Sequence, residues 1–391
     1  MFMLMRYFFN RIIAFTFIFL LFAGCGNKGN NDCSAKKLDD FSISAGTGEK
    51  PQSKIWNYRG GWYAVLPDST GTFIFELQGK EWKKGQKLSD SVNVMADVLP
   101  VKDTVHVLLF NAGRSQFVSV EYDHKSEKYR RWGKRRETVN IELEKESETA
   151  TIAVDGNGRM WLASDAENEM HVRWSDPPYE NWSDPVVIAQ GVKPDDICAV
   201  TSFPDGNIGV FWSNQNTQRF GFRMHKKGAR PEKWAEDEVP ASGSAMNIHK
   251  GMADDHINFA VSSDGTLYVA VKTSYDTEGY PLVGLLVRRP DGKWDKLHNV
   301  DDEGSRAIVL LSDKHKCIFV VYSSYRDHQI VCKKSDAKNI MFGERTVLLE
   351  SGKIKNSINN ATGPKHTFED EVVVMASEGD RAKSVRLHCG R

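Results

Sequence analysis

Six aromatic residues, Trp82, Trp132, Trp182, Trp234, Trp294 and Phe342, follow one another at intervals of 50, 50, 52, 60 and 48 positions, each behind a short turn rich in Lys, Glu or Asn. A second ladder keeps step with the first. Tight turns fall at Gly60-Gly61, Asp103, Asp155-Gly156, Asp205-Gly206, Asp264-Gly265 and Asp313. The Asp turns lead into comparable strands, VHVLLF, GRMWLA, NIGVFW, TLYVAV and CIFVVY, and NNATGPKHTFEDEVVVMAS offers a seventh copy. Short alternating runs divided by Gly, Asp, Asn and Pro, with no helical periodicity beyond the N-terminus, predict an all-β chain. One four-stranded unit cannot bury both of its faces alone, so the units must stack around an axis. The expected fold is a β-propeller of seven blades, with six as the alternative. The aromatic ladder then reads as core packed between blades. A ring needs a closing strand, and residues 41–54 are its expected source.

The first residues speak to location. Arg6 and Arg11 precede an apolar run from Ile12 to Phe22, too short to span a bilayer as a helix, and Ala23-Gly24 lead into Cys25. This pattern is a secretion signal, and LFAGC resembles the lipobox of bacterial lipoproteins. That resemblance implies acylation of Cys25 and residence in the cell envelope, with the outer membrane as the expected site. The polar stretch after Cys25 reads as a tether. The expected organisation is a signal over residues 1–24, a tether over 25–40 and one propeller domain over 41–391. Lys plus Arg and Asp plus Glu both number 52, so the chain lacks the positive excess that nucleic-acid binding requires. No later apolar run is long enough to cross a membrane, so the only expected membrane contact is the lipid, and the expected state is a monomer.

Export permits disulfides. Cys33 and Cys389 lie near the ends of the mature chain and are expected to join them. In KCIFVVYSSYRDHQIVCKK, Cys317 and Cys332 stand symmetrically about Ser324-Tyr325, so a hairpin turning there would set them opposite each other. Cys198, flanked by apolar residues, is expected to be a buried free thiol.

If the Asp turns mark the bottom of each blade, the starts of the inner strands and the loops after the second strands share the top. The starts carry Asp195-Asp196, Asp254-Asp255-His256 with Asn258, Ser305-Arg306, and Asn359-Asn360 with Lys365-His366. The loops carry Asn111 and Arg114, Asp165 with Glu167 and Asn168, Asn214-Gln215, Lys272 to Tyr275, and Tyr325-Arg326-Asp327. Elimination from a uronate needs a cation or amide on the carboxylate and a base for the acidified ring proton. His256, Asp255, Arg306, Lys272 and Tyr325 form the expected catalytic set. Asn214, Gln215, Asp254, Asn258, Tyr275, Asn359 and Asn360 form the expected substrate-binding set. A glycosidase would instead draw two carboxyl groups from Asp195, Asp196, Asp254 and Asp255, and the same aspartates could gather a structural Ca²⁺. No HExxH or paired CxxC spacing occurs, so no other metal and no cofactor is expected. An Asp before a strand also caps neighbouring backbone amides, which is the favoured reading for Asp195 and Asp196.

The succession GVFWSNQ, ADDHIN, YVAVKTS, LLVRRPDGKW, SRAIVLL and INNAT, across residues 150–377, resembles secreted bacterial propellers grouped with sialidase or BNR-repeat proteins. SDPPYENW and RRPDGKW depart from the Ser-x-Asp-x-Gly-x-x-Trp box of that group, and no arginine triad with a Tyr/Glu pair is assignable, so sialidase activity is not expected. The resemblance implies a carbohydrate partner, in keeping with polysaccharide lyases and glycosidases of this architecture that act on acidic sugars. Binding of carbohydrate without cleavage, or of a protein, is the alternative.

Overall fold

The computed structural model describes residues 33–48, 50–352 and 358–389. The signal region and Cys25 lie outside the described residues. Seven antiparallel sheets follow one another along the chain, each begun by its innermost strand. These inner strands are Ile55–Tyr58, Met95–Val101, Ala150–Val154, Cys198–Ser202, Ile257–Val261, Ser305–Ser312 and Asn359–Thr362. Successive inner strands lie against one another around an axis. The chain is a seven-bladed β-propeller. Blades are numbered from 1 in the order of those strands. No helix among the described residues is long and apolar enough to cross a membrane.

Blade 5 shows why the repeat folds this way. Its Asp264-Gly265 turn is held by the Asp264 carboxylate, which accepts the Thr266 N–H at 2.9 Å, and Gly265 takes φ 88°, where a side chain would be strained. In Leu267–Lys272, side chains of period two part company. Leu267, Val269 and Val271 join Phe211, Phe220 and Phe222 of blade 4, whereas Tyr268 and Ala270 join Val309, Leu311 and Val320 of blade 6. Both faces are covered, so the strand reads as a continuous apolar run.

The aromatic ladder is core, as expected. Trp82 of blade 1 donates its indole N–H to Ser384 Oγ of blade 7 at 2.9 Å. Trp182 meets Phe117 edge-on at 5.4 Å, Trp234 meets Trp161 at 5.5 Å and Trp294 meets Phe222 at 5.7 Å, each reaching the preceding blade. Trp132 departs from the pattern and stacks on Tyr179 of the following blade at 5.9 Å. At the bottom, the turns of blades 3 and 4 touch: a Cβ on Gly156 or Gly206 would come within 2.8 Å of the other's Cα.

Ring closure corrects the expected boundaries. The outermost strand of blade 7 is Cys33–Lys37, inside the stretch read as tether, paired with Arg381–Cys389. From the expected source, only Phe41–Ser42 adds to that strand. Lys50 and Gln52, from the rest of that source, reach across the top of the ring instead, Lys50 to Asp255 of blade 5 and Gln52 Nε2–H to Ala150 O of blade 3 at 3.0 Å. Pro51 has no N–H to give a ladder, which suits a crossing better than a strand.

Two cysteine expectations also meet their registers. Strands Cys317–Ser324 and Gln329–Asp336 pair Cys317 with Asp336 and Cys332 with Val321, because the turn spans residues 325–328 and centres on Arg326-Asp327. Four residues of strand, ~13 Å, separate their levels, so the expected Cys317–Cys332 bridge is excluded. Cys198 is fully buried and its thiol is pushed up by burial. Cys33, by contrast, stands opposite Cys389, whose amide turns the other way to Asp370 O at 2.8 Å. This backbone register is the one that the expected Cys33–Cys389 disulfide requires. Peptide mapping without reductant should recover the linked peptides, and Cys389→Ser should lower stability by about 2–4 kcal/mol. Both cysteines alkylating without reductant would contradict this.

Candidate functional site

The segment Asp254-Asp255-His256 enters the inner strand of blade 5 at the top of the ring. His256 Nδ1 lies 2.8 Å from Asp254 Oδ1 and 2.6 Å from Asp255 Oδ1. Lys272 Nζ lies 2.7 Å from Asp254 Oδ2, and Ser274 Oγ donates to the same oxygen at 3.0 Å. On the other side, Lys50 of the crossing segment reaches Asp255 Oδ2 at 2.5 Å and Glu148 Oε2 at 3.2 Å. The result is a continuous chain of polar contacts, Lys50, Asp255, His256, Asp254, Lys272. Burial pushes the Asp255 carboxyl up, but the hydrogen bond and charge of His256, with Lys50 behind them, hold it well below the usual carboxylate range.

Outward from Lys272, a pocket of about 330 Å³ opens between blades 5 and 6. Asp254, Lys272 and Ser274 form one wall, Glu303, Tyr325 and Arg326 another, and His249 and Lys250 the rim. Tyr325 is 46% exposed. Its hydroxyl accepts the Nε–H of Arg306 at 3.2 Å. Burial pushes the phenol up, but hydrogen bonding with Ser305 and Arg306, the Arg306 charge and Asn359 outweigh it, and the hydroxyl ends below its ordinary value. Arg306 is presented by a bulge in its strand, with a register shift between Ser305 and Ile308 and φ 54°. Asn360 repeats the device in blade 7, with φ 57°. Such backbone is costly for residues other than glycine and collects at functional sites. The guanidinium of Arg326 and the ammonium of Lys250 have no carboxylate partner among the described residues.

Arg306, Lys272 and Tyr325 are thus brought together, with Asp254 beneath them. Other expected site residues take structural posts. His256 is set differently from an open base: its Nε2 is enclosed without a partner among the described residues and its Nδ1 is held by two carboxylates, an arrangement that suits positioning Asp254. Asp255 is occupied by Lys50 and His256. Tyr275 is buried in the core, its hydroxyl accepting Met246 N–H at 3.1 Å. Asn258 joins blades, donating to Lys50 O at 3.1 Å and accepting Val309 N–H at 3.1 Å. Asn214 accepts Thr217 N–H within its own turn, and Gln215 gives its backbone N–H to Asp196. Asn359 accepts Ser323 Oγ–H at 2.6 Å beside Tyr325, while the Asn360 carbonyl accepts Thr47 Oγ1–H at 2.5 Å.

Asp196 is buried and caps the N–H groups of Lys193 and Gln215, as favoured, and Asp195 is exposed. Asp254 and Asp255 are bound to lysines, and together with His256 they bring one ligand atom each within 4.8 Å of one another, close enough to hold a metal ion. Lys365 lies deeper, 2.5 Å from the fully buried Asp97, and His366 Nδ1 is enclosed without a partner among the described residues. The sequence reading missed Lys50 and Lys250. Lys250 carried a signal, since it stands four residues before Asp254 on the same approach to the inner strand.

Asp165, read as a top-loop acid, is buried with its oxygens accepting Glu148 and Thr149 N–H at 2.7 and 3.0 Å. Burial pushes its carboxyl up to about 7. The folded state therefore holds a proton that the unfolded chain releases near 3.8, and stability is fullest below that value and declines as pH rises through about 7. Thermal melts between pH 5 and 8 should show this decline, and Asp165→Asn should flatten it; an unchanged slope in the variant would contradict the assignment.

No protein-family model matches the chain, and no curated protein matches it by sequence. Its fold is similar to that of solved propellers. The polysaccharide lyase Uly1 aligns with TM-score 0.51 at 8% identity, covering 87% of this chain and 90% of that one. The hydrazine synthase of Kuenenia stuttgartiensis aligns with TM-score 0.54 at 11% identity, over 88% and 98% of the two chains. The Dos1 propeller aligns with TM-score 0.50 at 10% identity, over 90% and 94%. Identities this low establish shared architecture, and the three names differ enough that architecture alone selects no activity.

Proposed function

We propose that this is an exported, lipid-anchored propeller that takes acidic carbohydrate at the pocket between blades 5 and 6 and cleaves it by elimination. The observation that carries the reading is Tyr325: a half-exposed phenol, held below its ordinary value beside Arg306, opening on a pocket bordered by Lys250, Lys272 and Arg326. Lys250 and Arg326 would receive the sugar carboxylate, and neutralising it acidifies the proton on the adjacent ring carbon. Tyr325, as phenolate, takes that proton. The electron pair forms a ring double bond, the glycosidic C–O bond breaks, and the leaving oxygen receives a proton, for which the Tyr325 hydroxyl is in place. Hydrolysis is less well served, because two carboxylates of the pocket wall, Asp254 and Glu303, are engaged by Lys272 and Arg345. The fold shared with a polysaccharide lyase agrees with this chemistry without requiring it.

A screen against acidic and neutral polysaccharides tests the reading. Unsaturated product is expected with a uronate polymer; reducing ends without unsaturation, or retardation in affinity gels with neither, would replace elimination by hydrolysis or by binding alone. Within an active pair, Lys250→Ala and Arg326→Ala are each expected to lower kcat by about tenfold or more and to raise KM, because the charge that builds on the carboxylate is no longer neutralised. An unchanged kcat would contradict the neutralising role.

A further inference from the structure

A larger cavity, about 560 Å³, lies on the same face at blade 2, away from blades 5 and 6. Its walls are the approach to the inner strand at Ser91–Asn93, the turn at Asn111–Arg114 after the second strand, and the outer strand Val139–Ile141. The gap exists because two short outer strands, Lys128–Arg131 and Val139–Ile141, share one partner, Ser115–Asp123. The lining is rich in side-chain amides, Asn93, Asn111, Gln116 and Asn140, with Arg114 and Glu142.

These groups are held in place. Asn140 stands opposite Gln116 in register, and Gln116 Nε2 approaches Asn140 Oδ1 at 3.5 Å while its Oε1 accepts Ser89 Oγ–H at 2.6 Å. Ser115 Oγ locks the neighbouring turn, accepting Asn111 N–H at 3.0 Å and donating to Ala112 O at 2.8 Å. Ala112 in that turn has φ 39°, a left-handed conformation unfavourable for alanine. The opposite wall is braced by Ser44 Oγ–H on Val92 O at 2.5 Å. The Asn93 and Asn111 amides and the charges of Arg114 and Glu142 have no partner among the described residues. Each amide offers a donor pair and an acceptor, the set that reads vicinal hydroxyls, and the volume lies within the range of small-ligand sites, roughly 300–1,000 Å³.

We propose that this cavity is a second, non-catalytic site for a hydroxyl-rich saccharide segment, holding the polymer whose cleavage is assigned to blades 5 and 6. The identity of the ligand rests on that reading. The test compares three purified proteins, wild type, Arg306→Ala and Asn111→Ala/Asn140→Ala, in native gels containing the polysaccharide, alongside turnover of polymer and of short oligosaccharide. Arg306→Ala should lose turnover yet remain retarded. The double amide variant should be retarded about tenfold more weakly, corresponding to about 1.4 kcal/mol over two hydrogen-bonding groups, with short-oligosaccharide turnover and melting temperature unchanged. Retardation of the amide variant equal to wild type, or loss of retardation in Arg306→Ala, would overturn the second site and leave the catalytic reading standing. Absence of retardation in the wild type by any saccharide would overturn both.

Discussion

Replacing Arg306 by glycine is expected to abolish turnover while leaving the protein at least as stable as the wild type. Arg306 sits at φ 54° in the bulge that opens the inner strand of blade 6. Left-handed backbone costs a non-glycine residue about 1 kcal/mol or more, and glycine adopts it freely. The side chain is half-buried and bonds Tyr325. It therefore gives little to the fold and much to the phenol. Loss of an activated base is expected to cost ~10²–10⁴ in rate, and Tyr325→Phe should match it. The pH profile separates activation from mere packing. A base must be deprotonated to act, so wild-type activity should rise with pH and level off below the ordinary tyrosine value. Arg306→Lys, which retains charge without the Nε–H, should move that inflection upward. A glycine variant that melts several degrees lower yet turns over normally would show that the bulge is structural.

Lys50→Met should have the largest effect on stability, about 3–5 kcal/mol of destabilisation in denaturant unfolding. The Lys50 side chain is 6% exposed and the Asp255 side chain 19%, so removing the ammonium takes from an enclosed carboxylate one of the two groups, Lys50 and His256, that hold it. Adding Asp255→Asn should recover a large part of the loss, because the two residues act as one unit. The folded state depresses the Asp255 carboxyl. Its contribution is complete above the unfolded carboxylate value and is lost as pH falls through the lower folded one, so Lys50→Met should weaken the acid limb of the stability profile. The damage should also reach the pocket, since the chain from Lys50 ends on Lys272. Full stability in Lys50→Met would mean that the crossing segment only rests on the ring.

Both results turn on residues of unequal visibility in the sequence. The blades were legible because a sheet covered on both faces repeats its apolar runs, its Asp turns and its inter-blade aromatic at one period. That frame sufficed to send Arg306, Lys272 and Tyr325 to a common mouth. Lys50 was illegible: it meets Asp255 across 205 positions, in a segment outside the repeat, and nothing local marks the contact. The closing strand CSAKK was obscured for a related reason. It is an edge strand with mostly exposed side chains, so its composition matches a tether. The misplaced hairpin between Cys317 and Cys332 came from weighting symmetry over turn chemistry; Asp327, whose N–H meets Ser324 Oγ, was the better marker. The enclosure of His256 Nε2 was illegible too, because sequence cannot tell an enclosed nitrogen from an open one.

Mass spectrometry of the products released from a uronate polymer addresses the proposed chemistry most directly. Elimination by Tyr325 predicts oligosaccharides lighter by one water than hydrolysis would give, formed by the wild type and absent with Tyr325→Phe. Products carrying the full water, or equal yields from the two proteins, would contradict it.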